Sequence, residues 1–363
     1  MRDYTKSITD LPDETIDKVK KIIDLYSKSY LDKGGLQNLY EHLLKAYRKR
    51  EKPTVVPDLF EKAFSAKNFW KDLQDCGSWL EMRYWYDHDK TKLHHANFCK
   101  RDKLCAPCAV RRAYKQQNKF FDIMRAEPDL LAKDWFYIVM PVKHNRAEPL
   151  EVVLQRVAKM KKALINSIRL KRQRNRHGRP VASRAFWSAF DGGMFAEEIT
   201  KTRNGWNVHL NLLMNAPAGT TFDLVEYRQI WNDKEKVTLS SPELSEWMKE
   251  NANGSVINSV QKLDFSNEDS LRSALVEVLK YSLKFHSLNR VEMLEVFAKT
   301  VRHRFFGTFG NLWGKGLTAD IELDGDFELD GEFLEMIFTR SKFGEYNMYK
   351  REIKHNGKVE DEE

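Results

Sequence analysis

Apolar residues recur with a helical period over much of the first 64 positions. Ile22, Ile23, Leu25, Tyr26, Leu36, Leu39, Leu43 and Leu44 sit at spacings that predict helices, and Gly34-Gly35 divides the region into at least two. Further along, the period changes. Trp135-Phe-Tyr-Ile-Val-Met-Pro-Val142 is a hydrophobic run of strand length, and Leu150, Leu154, Val157, Leu164 and Ile168 mark the inner side of an amphipathic helix. Alternation then returns on both sides of Asn204-Gly205, a dipeptide that predicts a two-residue type I′ hairpin. With that loop Arg203 pairs with Trp206, Thr200 falls opposite His209, and Glu198 falls opposite Asn211. Trp206, Val208, Leu210, Leu212 and Met214 then share one face, and Asn207, His209 and Asn211 the other. Ser266 with Asp269 is a helix start. After it, Leu271, Leu275, Val278, Leu279, Ser282 and Phe285 form an apolar stripe with Glu277, Tyr281 and Lys284 roughly opposite.

Antiparallel hairpins with intervening helices make this an α+β chain. Its hairpin gathers Glu198, His209 and Asn211 on one face, a donor set that suits Mg²⁺ or Mn²⁺. A half-exposed strand with a polar outer face explains the same pattern. On the later helix, Glu277 and Tyr281 are an i, i+4 pair flanked by Lys280 and Lys284. A phenol there can attack a phosphate held beside it, with cations easing formation of the phenolate. An exposed tyrosine covering apolar surface is the alternative.

The four cysteines, Cys76, Cys99, Cys105 and Cys108, fall in one stretch. Cys105-Ala-Pro-Cys108 is a C-x-x-C knuckle, and with Cys99 and Cys76 it predicts a structural zinc rather than disulfides; His94 or His95 is the alternative fourth ligand. No signal peptide is read at the start. No apolar run is long enough to span a bilayer, so a cytoplasmic chain is expected, without a membrane partner. A net charge of +8 suits a polyanion. The densest positive run holds Arg169, Lys171, Arg172, Arg174, Arg176 and Arg179, expected to contact DNA phosphates or to form a solvated loop. Two Asp-Gly turns in Glu322–Phe333 predict an acidic connector, and Lys354–Glu363 lacks apolar anchors and is expected to be disordered.

In order along the chain, the strand at 135–142, the His209-Leu210-Asn211 strand, Glu277-x-x-Lys280-Tyr281 and the basic Arg302–Gly310 segment resemble the plasmid rolling-circle replication initiators of the HUH endonuclease superfamily. The family's metal motif is histidine, bulky apolar residue, histidine, and this chain has asparagine in the second place. The resemblance implies a central antiparallel sheet with helices packed on one face and the active site on the other. The chain is then expected to divide into a helical N-terminal region (1–69), a zinc element (70–115), a nuclease core as the resemblance implies (116–316) and an acidic segment with a tail (317–363). The resemblance also implies that Tyr281 nicks single-stranded hairpin DNA at a replication origin through a 5′-phosphotyrosyl intermediate, leaving a 3′-hydroxyl primer, and that Glu277 activates water for termination. A host polymerase and helicase are the implied partners. Origin-duplex recognition and self-association as a homodimer are the roles open to the N-terminal helices. A transposase or mobilisation relaxase with the same chemistry, and a non-catalytic zinc-containing DNA-binding protein, are the rival readings.

Overall fold

The computed structural model describes residues 11–49, 55–169, 185–231, 234–255, 259–263, 275, 278, 287–317, 323 and 329–356. It divides into two compact units, Met1–Arg112 with Glu322–Glu363, and Ala113–Ile321. Both combine helices with antiparallel sheet, in keeping with the α+β class.

The helical period of the N-terminus becomes α1 (Asp13–Lys33), α2 (Leu36–Arg48), α3 (Val55–Phe64) and α4 (Phe69–Asp75). Gly35, at φ +80°, supplies the left-handed turn between α1 and α2. The buried face of α1 differs from the expected one. Thr15, Val19, Tyr26, Ser29 and Lys33 are buried, whereas Ile22, Ile23 and Leu25 are half-buried. Next come β1 (Trp79–Trp85), β2 (Lys90–Ala96) and α5 (Ala106–Ala126), in which the boundary between the units falls.

The second unit runs through α6 (Pro128–Leu131), β3 (Asp134–Pro141), α7 (Leu150–Arg169), α8 (Ala185–Ser188), β4 (Gly192–Thr202) and β5 (Gly205–Ala216). A two-stranded ribbon of β6 (Val225–Trp231) and β7 (Lys234–Ser240) follows, then α9 (Pro242–Asn251), β8 (Ser259–Leu263), α10 (Arg290–Thr300) and β9 (Phe306–Gly310). Five strands form one sheet in the order β8-β3-β5-β4-β9, with β5 at its centre. Burial of β5 is nearly continuous because both its faces are covered. On one face α7 buries Val153, Val157, Met160 and Leu164, and its Lys161 pairs with the fully buried Glu197. On the other, Phe120, Phe121 and Met124 of α5 pack with Trp135, Met194 and Leu213.

The hairpin register differs from the expected one by two residues. Thr202 pairs with Gly205, so Arg203-Asn204 forms the loop and Glu198 lies directly opposite His209. Gly205 takes φ +103°, and a Cβ there would lie 2.6 Å from the Asn145 carbonyl oxygen. Its positive φ therefore serves close backbone packing at the strand start as well as the turn. A shift of two keeps every side chain on its expected face. Gly205→Ala is expected to cost about 2 kcal/mol or more, combining left-handed strain with that clash. A urea denaturation midpoint unchanged from the parent would contradict it.

The chain's last part also departs from expectation. Gly331–Arg340 and Tyr346–Asn356 are strands β10 and β11, which join the first unit in the order β11-β10-β1-β2. Leu334, Met336 and Phe338 pair across from Tyr84, Met82 and Leu80, all six buried. Each large side chain so buried contributes roughly 1.5–3 kcal/mol, which outweighs the acidic, turn-rich character of the flanking sequence. Lys354, expected in a disordered tail, lies in β11 with its Nζ 2.7 Å from Glu335.

Candidate functional site

Two groups of chemistry-bearing side chains come together, one in each unit. In the second, period-two alternation puts Glu198 of β4 and His209 and Asn211 of β5 on the same face of the sheet. His209 Nε2 lies 3.2 Å from Glu198 Oε2, and Asn211 Nδ2 lies 3.4 Å from the same oxygen. Asn211 Oδ1 in turn accepts a 2.9 Å hydrogen bond from the Tyr137 hydroxyl on β3. Glu198 and Asn211 are buried and His209 is half-buried, so this is not the solvated outer face of a strand.

Imidazole nitrogen and carboxylate oxygen thus already meet at one point. The amide presents its nitrogen there and its oxygen to Tyr137. Turning the amide over would add an oxygen to the set, and an N/O/O trio suits Mg²⁺ or Mn²⁺. The residues fit such an ion on that condition.

The same face carries a second predicted feature. Leu275 and Val278 are helical, fully buried, and part of the cluster that holds Trp135, Met194 and Leu213. Tyr137 packs against this cluster and also bonds Asn211, so it joins the apolar end of the face to the polar end. Glu277, Lys280, Tyr281 and Lys284 lie outside the described residues, as do Lys171, Arg172, Arg174, Arg176 and Arg179. Arg169, the last residue of α7, is exposed.

In the first unit, Cys76, Cys99, Cys105 and Cys108 are buried with their sulfurs all within 4.8 Å of one another. Local backbone explains how. Cys76 ends α4, and Gly77 turns the chain at φ +72°; Cys99 is followed by Lys100 at φ +58°. Cys105 and Cys108 stand three residues apart at the start of α5, on one side of its first turn, where the helix N-terminus favours thiolate. The Sγ–Sγ separations are 3.5 Å for Cys76–Cys105 and 3.6 Å for both Cys76–Cys108 and Cys99–Cys108. A tetrahedral zinc with Zn–S bonds of about 2.3 Å spaces its sulfurs by ~3.8 Å. The four can therefore hold a metal such as zinc with little movement. His94 and His95 lie on β2 outside this group, which makes Cys76 the fourth member.

Charge is uneven across the four. Burial alone would raise the Cys105 thiol, but hydrogen bonds from the other three sulfurs and the Lys33 ammonium hold it well below the ordinary thiol range. Hydrogen bonding to Cys105 pushes Cys99 and Cys108 up. Among the described residues this is the one cluster of histidine, cysteine and acidic side chains with metal-holding geometry, and no helix is long and apolar enough to cross a membrane.

Sequence reasoning missed two polar residues that these sites use, and a buried carboxylate on the far side of the sheet. Tyr137 is hidden in an apolar run, although β3 alternation puts it on the face of Trp135. Lys33 is the buried residue seven positions after Tyr26 on α1, a spacing that returns to the same helix face. Glu197, which pairs with Lys161 and with His303 at 2.5 Å, sits on the face opposite Glu198. Comparison with family models, curated proteins and solved structures finds no match for this chain.

Proposed function

We propose that the second unit is a metal-dependent nuclease core that nicks single-stranded origin DNA with Tyr281, the reaction of a rolling-circle replication initiator. One observation carries this reading. Leu275 and Val278, from the segment that holds Tyr281, share a buried cluster with Leu213 and Met194. The next rung of that sheet face carries Asn211, and the one after it pairs Glu198 with His209. Tyr281 follows Val278 by three residues in the sequence, a spacing of about one turn on the helix expected there.

Glu198, His209 and Asn211 would hold Mg²⁺ or Mn²⁺, which when bound polarises a phosphate oxygen. The Tyr281 oxygen attacks phosphorus as the P–O3′ bond breaks. The products are a 5′-phosphotyrosyl link and a 3′-hydroxyl that carries the proton the phenol gave up. Lys280 and Lys284 neutralise charge on the phosphate or favour phenolate, and Glu277, one turn before the tyrosine, takes the proton of a water for the terminating cut. The cationic run after Arg169 tracks the phosphate backbone. Zinc on the four cysteines is structural, tying α4, the β2 end and α5 together.

The test is incubation of a 3′-labelled single-stranded oligonucleotide with the protein and Mg²⁺ or Mn²⁺. A covalent protein–DNA band that depends on the metal supports the reading. A second reading, a non-catalytic zinc-containing DNA-binding protein, draws on the Asn211 oxygen being engaged by Tyr137; binding without cleavage would favour it. A transposase or relaxase would give the same adduct. Glu277→Ala separates these, since first-strand nicking should stay within a few-fold of the parent while release of unit-length circles fails. Normal circle release by this variant would take the termination role away from Glu277.

A further inference from the structure

We infer that Lys33 is the buried counter-charge of the four-cysteine centre, and that through it helix α1 holds the metal in place as an outer layer of the site. This rests on the reading of the cysteines as a metal centre and adds a residue to it. Zinc bound by four thiolates carries a net double negative charge, and burying it is costly unless positive charge or donors lie close. Lys33 meets that need. It is 3% exposed, and its Nζ lies 3.4 Å from Cys105 Sγ. Its head is thus withdrawn from water and donates to a ligand sulfur.

The rest of α1 is shaped to the same end. Tyr26, two turns before Lys33, is buried against the centre, and a Cβ on Gly77 would lie 2.3 Å from its ring. The Gly34-Gly35 turn lets the chain leave immediately after Lys33, so the lysine is the last helical residue and its stem lies along the buried face. Nothing in the apolar periodicity of α1 calls for a lysine there. A hydrophobic residue would fill the same space, whereas a buried ammonium needs an acceptor, and Lys33 has one in the Cys105 sulfur.

The experiment measures zinc transfer from the full chain to a chromophoric chelator, for the parent and for Lys33→Met, Lys33→Gln and Lys33→Arg. Loss of a partner that touches a metal ligand typically costs 10–100-fold in affinity. Lys33→Met should therefore release zinc about 10–100-fold faster, and Lys33→Arg should stay within a few-fold of the parent. If Lys33→Met does not fold, Lys33→Gln, which is neutral yet able to donate, decides the matter by the same readout. Val19→Ala, which removes packing from the same helix without touching charge, should leave the release rate unchanged. A parent that holds one zinc and a neutral variant that holds it as tightly would overturn the role of Lys33 alone. A parent with no metal would overturn the metal centre itself.

Discussion

Cys105→Ser is expected to yield a chain without tightly held metal and without a stably folded first unit. The parent should carry one zinc per chain by elemental analysis, and the variant close to none. The size of the effect follows from how much the ion supplies. A structural zinc contributes roughly 10–16 kcal/mol at pH 7, about as much as or more than the whole net stability of an ordinary domain. Cys105 also accepts a hydrogen bond from the Lys33 ammonium, so its loss leaves that buried ammonium facing a neutral hydroxyl. Far-ultraviolet circular dichroism during heating provides the second readout, and chelation of the parent should reproduce the variant. A variant that keeps its zinc and the parental melting curve would show that the sulfurs are not ligands. His94 and His95 do not take over, because they lie on β2 outside the cluster.

Tyr281→Phe should abolish both strand cleavage and the covalent adduct, a loss on the order of 10⁴- to 10⁶-fold. The substitution removes one oxygen and leaves untouched Leu275 and Val278, the residues of its segment seen in the core among the described residues. Stability should therefore change little while chemistry disappears. A denaturing gel with 3′-labelled DNA reads this directly: the slow protein–DNA band is lost, and binding in a native gel persists. An adduct still formed by Tyr281→Phe would move the nucleophile elsewhere. The contrast with Cys105→Ser is diagnostic, because one change unfolds a unit and the other only disarms a site.

Local periodicity made much of this molecule legible. The amphipathic stripe from Leu150 to Ile168 became α7, the run from Trp135 became β3, and the alternation about Asn204-Gly205 became β4 and β5. Glu198, His209 and Asn211 were assignable to one face because side-chain parity survives a two-residue slip, although their pairing was not. In the observed register Asn145 packs close over Gly205, a contact between residues sixty positions apart that no local pattern contains. The same limit hid β10 and β11. Leu334, Met336 and Phe338 alternate, but the acidic Asp-Gly turns beside them dominated the reading, and their partners on β1 lie some 250 residues upstream. The four cysteines were legible because thiolate ligands announce themselves by type and spacing. Lys33 and Tyr137 were not, since one polar side chain among apolar ones has meaning only once its neighbours in space are known.

The first unit is built from both ends of the chain, with the other unit inserted between them. During synthesis the ribosome therefore delivers the metal ligands and β1 long before it delivers β10. At the rate of about 5–20 residues per second, the wait for that partner lasts on the order of 10–50 seconds. Over that interval the edge of β1 that β10 will cover stands open, and so does the apolar row of Leu80 and Met82. An open strand edge beside uncovered apolar surface is what chaperones bind and what aggregates recruit. Zinc captured early, by ligands that are all made before the insertion begins, would give the nascent half a durable anchor until translation closes the sheet.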